Sequence, residues 1–449
     1  MNWKNLVRAV IFTIVLVTVI SSVSVPFVVP DGYTTRMDYR WIKGMYNEPK
    51  GTLDAIYIGS SNAYAYWNQN IAWSRFGITV YPYACAEAPL TAYEYMLKEA
   101  HREHPDAVYI LSVNTLGETT IGEKDVVLHR VLDHIPMSMN KLLMIDHLCD
   151  IAEVEYEDRL EYVLPIIKYH SAWDEIGEGS FDTDTTQLKN GNTFSWFFEK
   201  KTDISKKYKE SDKMLEPADY VMESVNGILD YCEKEDLKVL FVTAPRAEKE
   251  VATVEKINYI NNYVKERGYE TLDIMALKDE YDLNLKIDFY NITHTNIHGS
   301  LKYTMYLSEY LVEKYGFEDK RGQEEYASWD ESANQYLKKV DGLRVMPFEY
   351  DLEARRNDID YPANLKGKVV GKEITLSWSA STGATGYEVY KRNKYNSWFK
   401  VGETAEVSFT DKGRAVEGTH QYRVIPFVEV DGERQYGQYY YPGVTVNGK

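Results

Sequence analysis

The sequence predicts an α/β domain built on a parallel sheet, followed by an all-β sandwich and preceded by an apolar helix suited to a membrane anchor. Three observations carry this. From about Asp54 to Tyr315, short apolar runs alternate with longer stretches of helical periodicity, as in a parallel sheet with helices on both faces. After Tyr361-Pro362 the texture changes to short alternating runs separated by glycine turns. Near the amino terminus, no charge interrupts Ala9 to Val25.

That apolar run is preceded by Lys4 and Arg8 and followed by Pro26-Phe27-Val28-Val29-Pro30 and Asp31. With its apolar flanks it reaches roughly the 20 residues that a bilayer core demands. Basic residues before it and an acid after it predict a cytoplasmic amino end and an extracytoplasmic remainder. A cleaved signal peptide is the competing reading, but the run is long and no Ala-x-Ala-like site closes it. Both readings export the rest. The expected domains are therefore 1–30, a cytoplasmic tip and transmembrane signal anchor; 31–316, the α/β domain; 317–361, a linker or strut; and 362–449, the sandwich.

Composition excludes several classes. A formal charge of -18 leaves no basic stripe to neutralise phosphates, so nucleic acid is not an expected partner, and electrostatic docking on anionic lipid is disfavoured. Three cysteines, Cys85, Cys149 and Cys232, are far apart and lack metal-like spacing, so they read as small buried hydrophobes. No cofactor and no metal is expected.

Strands are predicted at Asp54 to Ile58, Ile78 to Tyr83, Ala107 to Val113, Lys238 to Thr243 and Glu270 to Ile274. Helices are predicted at Leu90 to Glu103, Pro217 to Glu235, Val251 to Arg267 and Ser300 to Lys314. The alternation lapses over about 115–216, an interval too long for a plain loop, which reads as a mostly helical insertion. It holds His129, His134 and the aromatic cluster Tyr169 to Trp173, either a lid over a cleft or an amphipathic cap with packed histidines. His129 and His134 are five apart and miss the i, i+4 geometry of a helical metal pair. In the strut, one helix is predicted from Trp329 to Val340.

In the last segment, Lys372 to Trp378 and Gly386 to Lys391 alternate cleanly, and His420 to Val424 follows. Trp378, the Tyr-Glu-Val-Tyr run, Phe409-Thr410-Asp411 and Tyr422-Arg423-Val424 resemble a fibronectin type III domain. That resemblance implies that Trp378 packs the core between sheets and Tyr422 forms the corner. It names no ligand.

The chemistry centres on Gly59-Ser60-Ser61-Asn62, directly after the first strand, where open α/β sheets present ligands. A serine there becomes a nucleophile only with a base and an oxyanion site. The base candidate is His294, in the polar loop Asp288-Phe289-Tyr290-Asn291-Ile292-Thr293-His294-Thr295-Asn296-Ile297-His298-Gly299 that opens into the last helix of the domain. Both blocks should lie at one sheet edge.

These blocks, in this order, resemble the SGNH or GDSL hydrolases, and the continuation from His294 to Gly299 is similar to their cell-surface members, among them the teichoic acid D-alanine transfer protein and the alginate O-acetyltransferase-like proteins. The resemblance covers Leu53 to Tyr315 apart from the insertion, and implies a flavodoxin-like three-layer sheet. It implies Ser61 as nucleophile and His294 as base. The oxyanion donors would be the Ser61 amide, the Asn114 side chain from Ser112-Val113-Asn114-Thr115, and the loop after the second strand at Cys85. Where the family has an acid to orient the histidine, this chain has Asn291. Two groups remain open for that role: Asp288, three residues earlier, or the carbonyl of Asn291 itself.

The function expected is that of a membrane-anchored extracytoplasmic serine esterase or O-acyltransferase acting on acyl groups of a cell-envelope polysaccharide. The resemblance also implies a membrane-bound O-acyltransferase as a working partner. The alternative is a non-catalytic glycan-binding or adhesive surface protein with a degenerate SGNH domain, to which Asn291 and the 38 tyrosines are suited.

Overall fold

The computed structural model describes residues 3–28, 33–116, 125–181, 185, 202–248, 250–281, 283–286, 288–342, 355–356, 358–392, 398–412, 418–438 and 443–448. Two helices lead in, α1 (Trp3–Val28) and α2 (Tyr33–Asn47). The first two-thirds of α1 expose Val10, Ile11, Phe12, Val15, Leu16 and Val19. Among the described residues no helix is long and apolar enough to cross a membrane, so the helix expected at 9–25 is observed and its spanning role is not supported.

The α/β domain begins with β1 (Ala55–Gly59), α3 (Ser61–Tyr66), α4 (Gln69–Phe76), β2 (Val80–Ala84), α5 (Tyr93–Glu103) and β3 (Val108–Ser112). The insertion supplies α6 (Asp125–Leu132), α7 (Met139–Ile151), α8 (Leu160–Val163) and α9 (Ile166–Tyr169). The alternation resumes with α10 (Asp219–Glu235), β4 (Val239–Thr243), α11 (Val251–Glu266), β5 (Glu270–Asp273) and α12 (Ile297–Tyr315). All five strands run parallel in the order β2-β1-β3-β4-β5. This is the doubly wound order found in flavodoxin-like sheets, with its switch point beside β1.

Strands β1 to β4 are buried on both faces, and their period of two sorts side chains into two cores. Ile56, Ile58, Tyr81 and Leu111 face one core, shared with Met96 of α5 and Ile228 of α10. Ala55, Tyr57, Val80 and Ile110 face the other, shared with Tyr66 of α3 and Leu307 of α12. These four strands thus need apolar residues on both sides, which is why their runs read as continuous rather than alternating, whereas the edge strand β5, Glu270 to Asp273, is only partly buried. Because the strands are parallel, Gly59, Ala84, Ser112, Thr243 and Asp273 all end at one edge.

Two helices between β1 and β2 were not expected from the sequence. Asn68 caps α4 through its side-chain oxygen, which accepts from the Ile71 amide at 3.2 Å. The strut segment also holds α13 (Ala327–Gly342), which packs on α4. Trp329 is buried there, Tyr336 Oη accepts from Asn68 Nδ2 at 2.7 Å, and Trp73 Nε1 donates to Asp330 at 2.9 Å. This half of the 317–361 segment is therefore joined to the α/β core, not a free tether.

The carboxyl-terminal strands are β6 (Arg355–Arg356), β7 (Lys366–Val370), β8 (Glu373–Ser377), β9 (Gly386–Arg392), β10 (Trp398–Thr404), β11 (Ser408–Asp411), β12 (Gly418–Val430), β13 (Glu433–Gly437) and β14 (Val444–Gly448). One sheet has the order β11-β8-β7; the other has β10-β9-β12-β13-β6, with β14 on β12. Their inner faces enclose Leu376, Trp378, Val389, Tyr422 and Val446. Trp378 meets Tyr387 edge to face at 5.3 Å, and Tyr422 Oη donates to Asp411 Oδ2 at 2.6 Å. The sandwich and the packed tryptophan match the expectation.

Candidate active site

Ser61 is placed by close packing at the end of β1. A Cβ on Gly59 would stand 2.9 Å from Ala63 Cβ and 3.2 Å from Ser112 Cβ, so only glycine lets α3 start this close to the sheet. Ser60 is extended and caps α3, and its hydroxyl lies 2.8 Å from Thr115 Oγ1. The two serines divide the work: Ser60 ties the loop to the end of β3, and Ser61 opens the helix with its hydroxyl toward the polar loop.

That loop is folded back on itself. Phe289 and Thr295 form a bridge, Tyr290 N–H donates to His294 O at 3.0 Å, and Asn296 N–H donates to Asp288 O at 2.9 Å. The helix that follows starts at Ile297, earlier than the Ser300 expected, and a Cβ on Gly299 would meet Asp288 O at 2.4 Å. Tyr66 Oη sits 2.6 Å from both Pro245 O and Thr293 O, stitching α3 to the histidine loop.

Within this frame His294 Nε2 lies 2.7 Å from Ser61 Oγ. The tautomer follows from the other nitrogen. Thr293 N–H, which can only donate, points at Asn291 Oδ1 at 2.9 Å, and so fixes which end of that amide is the oxygen. The same oxygen is 3.1 Å from His294 Nδ1, so Nδ1 carries the proton and Nε2 turns its lone pair to Ser61. Thr293 Oγ1 flanks the pair, 3.1 Å from Asn291 Oδ1 and 3.2 Å from Nδ1.

Asp288 and Asn291 were both open as the orienting group, and the place beside Nδ1 is taken by Asn291. Asp288 Oδ2 accepts instead from Lys302 Nζ at 2.9 Å and from Asn284 N–H at 2.7 Å. Asp288 and Lys302 are both buried, so this ion pair anchors the loop to α12.

Burial pushes His294 down to about 4, with the charge of Arg246 as the second cause. Arg246 follows β4 and pairs with Glu248, Nη2 to Oε2 at 3.1 Å. The ring is therefore neutral at physiological pH and able to accept a proton from Ser61, but as a weak base.

Asn114 is buried at the end of β3, its Oδ1 accepting from Ala244 N–H at 2.7 Å and its Nδ2 donating to Ala244 O at 2.9 Å. This two-point pairing fixes the amide and uses one of the two Nδ2 hydrogens. Cys85 follows β2, fully buried, and burial pushes its thiol well above the ordinary range, so the side chain is inert. The next amide, Ala86 N–H, donates to Asp38 Oδ1 at 2.9 Å, which holds that loop against α2.

Sequence reasoning missed Thr293, Tyr66 and Arg246. Arg246 stood within reach of the rule that found Ser61, since it lies three residues after a strand that ends at the same edge. Tyr66 carried no signal, because its role depends on two carbonyls far away in sequence. Of the insertion residues, His134 is buried against Tyr39 and pushed down to about 4 by desolvation, whereas Trp173 is exposed.

No family model matches the chain. An alpha-amylase of Niallia circulans is 36% identical over 67 residues, 14% of this chain and 5% of that protein's length. Among solved structures, an Fn3-like protein from Clostridium thermocellum is similar over 20% of this chain and 94% of its own, at 18% identity and a TM-score of 0.17. A structure titled FN3tt mut is similar over 20% of this chain and 91% of its own, at 16% identity and the same TM-score. A gut microbial diltiazem-metabolizing enzyme aligns over 78% of this chain and 69% of its own, at 8% identity and a TM-score of 0.21. These scores add nothing to the site. What the molecule's own geometry defines is a doubly wound α/β domain with a serine–histidine–asparagine hydrogen-bonded series at the carboxyl edge of its sheet, joined to a fibronectin type III-like sandwich.

Proposed function

We propose that the chain is a serine-dependent acyl-transfer enzyme of the SGNH type. The single observation that carries this reading is the 2.7 Å approach of His294 Nε2 to Ser61 Oγ, with the tautomer set by Asn291. Ser61 Oγ attacks an ester carbonyl carbon, and its proton passes to His294 Nε2. The tetrahedral oxyanion is held by the Ser61 amide, the second hydrogen of Asn114 Nδ2 and an amide of the loop at Cys85. The C–O bond to the leaving alkoxide then breaks, the alkoxide takes the proton from Nε2, and Ser61 is left acylated. Water or an acceptor hydroxyl completes hydrolysis or transfer by the reverse proton route.

The substrate class is an O-acylated polymer of the cell envelope, with α1 as the membrane anchor and the catalytic part outside. Lys4 and Arg8 before the apolar stretch support that orientation, and the resemblance to cell-surface SGNH proteins supports the polymer and a membrane-bound O-acyltransferase as partner. Incubation with p-nitrophenyl acetate tests the reading: wild type hydrolyses it, and Ser61→Ala and His294→Ala lose at least about a hundredfold.

A second reading is favoured by one specific observation, the neutral Asn291 where an acid would stabilise an imidazolium. In it the domain binds an envelope glycan without turning it over. Binding of acylated polymer by wild type and Ser61→Ala alike, with no release of acid from either, would select this reading.

A further inference from the structure

Among the described residues, one group of side chains outside the candidate active site brings three metal-ligating atoms together: Asp125, His129 and Glu161, all within 4.8 Å of one another. Asp125 and His129 are one turn apart on α6, and Glu161 comes from α8. His129 is buried, and its Nδ1 lies 3.0 and 3.2 Å from the two oxygens of Asp133. A carboxylate can only accept there, so Nδ1 carries a proton and Nε2 is the ring nitrogen turned away from Asp133.

Nε2 faces two carboxylates. Nε2 is 3.3 Å from Asp125 Oδ1 and 3.4 Å from Glu161 Oε1. A proton on Nε2 could bridge them, but charge-assisted N–H···O bonds close to about 2.7–2.9 Å. The spacing suits something larger than a proton. Ligands about 2.0–2.1 Å from a tetrahedral ion stand about 3.3 Å from each other, which is the separation of Nε2 from each of the two carboxylate oxygens. The surroundings are those of a metal ligand set: Asp133 backs the histidine, and Tyr162 Oη donates to Asp125 Oδ1 at 2.6 Å. A cation already visits the carboxylates, since Lys168 Nζ bonds Asp125 Oδ2 and lies 3.8 Å from Glu161 Oε1. Its side chain is about a third exposed, on the short helix α9, none of whose residues is buried.

We propose that Asp125, His129 and Glu161 form a divalent-cation site of the Zn²⁺ class, with Asp133 as the outer partner and water completing the tetrahedron. Imidazole with two carboxylates disfavours Ca²⁺ and Mg²⁺, which take oxygen sets. The ion fastens α6 to α8 and displaces the Lys168 ammonium. The site is independent of the Ser61 chemistry.

The test is titration of the full, untagged chain, stripped with EDTA, with ZnCl₂ by calorimetry, alongside the thermal midpoint with and without the ion. Wild type binds one Zn²⁺ per chain and its midpoint rises. His129→Ala and Glu161→Gln weaken binding at least about tenfold, while Lys168→Met, which removes the competing ammonium, tightens it. The Co²⁺-loaded chain shows the intense visible absorption of a four- or five-coordinate ion. No saturable binding by wild type, unchanged affinity in Glu161→Gln, or unchanged or weaker binding in Lys168→Met overturns the proposal. If His129→Ala fails to fold, Glu161→Gln and Lys168→Met still decide it.

Discussion

The side-chain carbonyl of Asn291 accepts a hydrogen bond from His294 Nδ1–H at 3.1 Å, in a place where a carboxylate would add charge as well as direction. Thr293 supplies the missing constraint by donating its backbone N–H to the same oxygen. The amide cannot turn its nitrogen toward the ring without losing that bond. Direction is thus kept and charge is given up.

Asn291→Asp restores the charge. The carboxylate accepts the same two donors and stabilises the imidazolium, so the His294 titration moves up by about 1–3 pH units and turnover rises about tenfold or more. Initial rates on p-nitrophenyl acetate at neutral pH check this. A lower rate with an unmoved acid limb contradicts it.

The pH profile of the wild type carries the same information. Nε2 must be unprotonated to accept from Ser61, and burial with the charge of Arg246 holds His294 down at about 4. Activity is therefore present above that value and lost as pH falls through it. The acid limb of kcat/KM belongs near 4, not at the ordinary imidazole value of about 6.5. Linkage has a matching sign: between about 6.5 and 4 the unfolded chain binds the proton and the folded chain does not, so stability falls as pH drops through that window.

Asp288→Asn separates anchoring from orientation. It leaves the Lys302 ammonium buried without its carboxylate, a loss of about 3–5 kcal/mol. The denaturant midpoint falls, and the acid limb of the surviving activity stays in place. A shifted acid limb with unchanged stability would make Asp288 the group that orients the ring.

Gly59→Ala forces α3 away from the sheet, because the added Cβ falls 2.9 Å from that of Ala63. The cost is about 1–3 kcal/mol, and the rate of acylation drops as Ser61 moves off Nε2. Equilibrium unfolding together with stopped-flow acylation measures both. Full activity in this variant would show that the approach of α3 does not position Ser61.

The parallel sheet was legible because its strands β1 to β4 are apolar nearly throughout, and the serine and histidine loops because each abuts a strand or helix boundary. The helices α3 and α4 were hidden, since Asn68, Gln69 and Asn70 read as loop residues when their burial and their caps are unknown. The choice between Asp288 and Asn291 was illegible for a different reason. Both sit on one loop, and what turns Asp288 away is Lys302, fourteen residues on and contributed by a helix. The membrane role expected of the first helix came from composition, and no described helix is long and apolar enough to cross a membrane; the strut helix became part of the domain only through contacts such as Asn68 to Tyr336.

The decisive measurement is peptide mapping by mass spectrometry after the purified chain is incubated with a fluorophosphonate. The expected result is a single covalent adduct on Ser61, absent in Ser61→Ala and formed far more slowly in His294→Ala. Wild-type chain that remains unmodified at Ser61 under conditions that label a serine hydrolase control contradicts the assignment of Ser61 as nucleophile and His294 as its base.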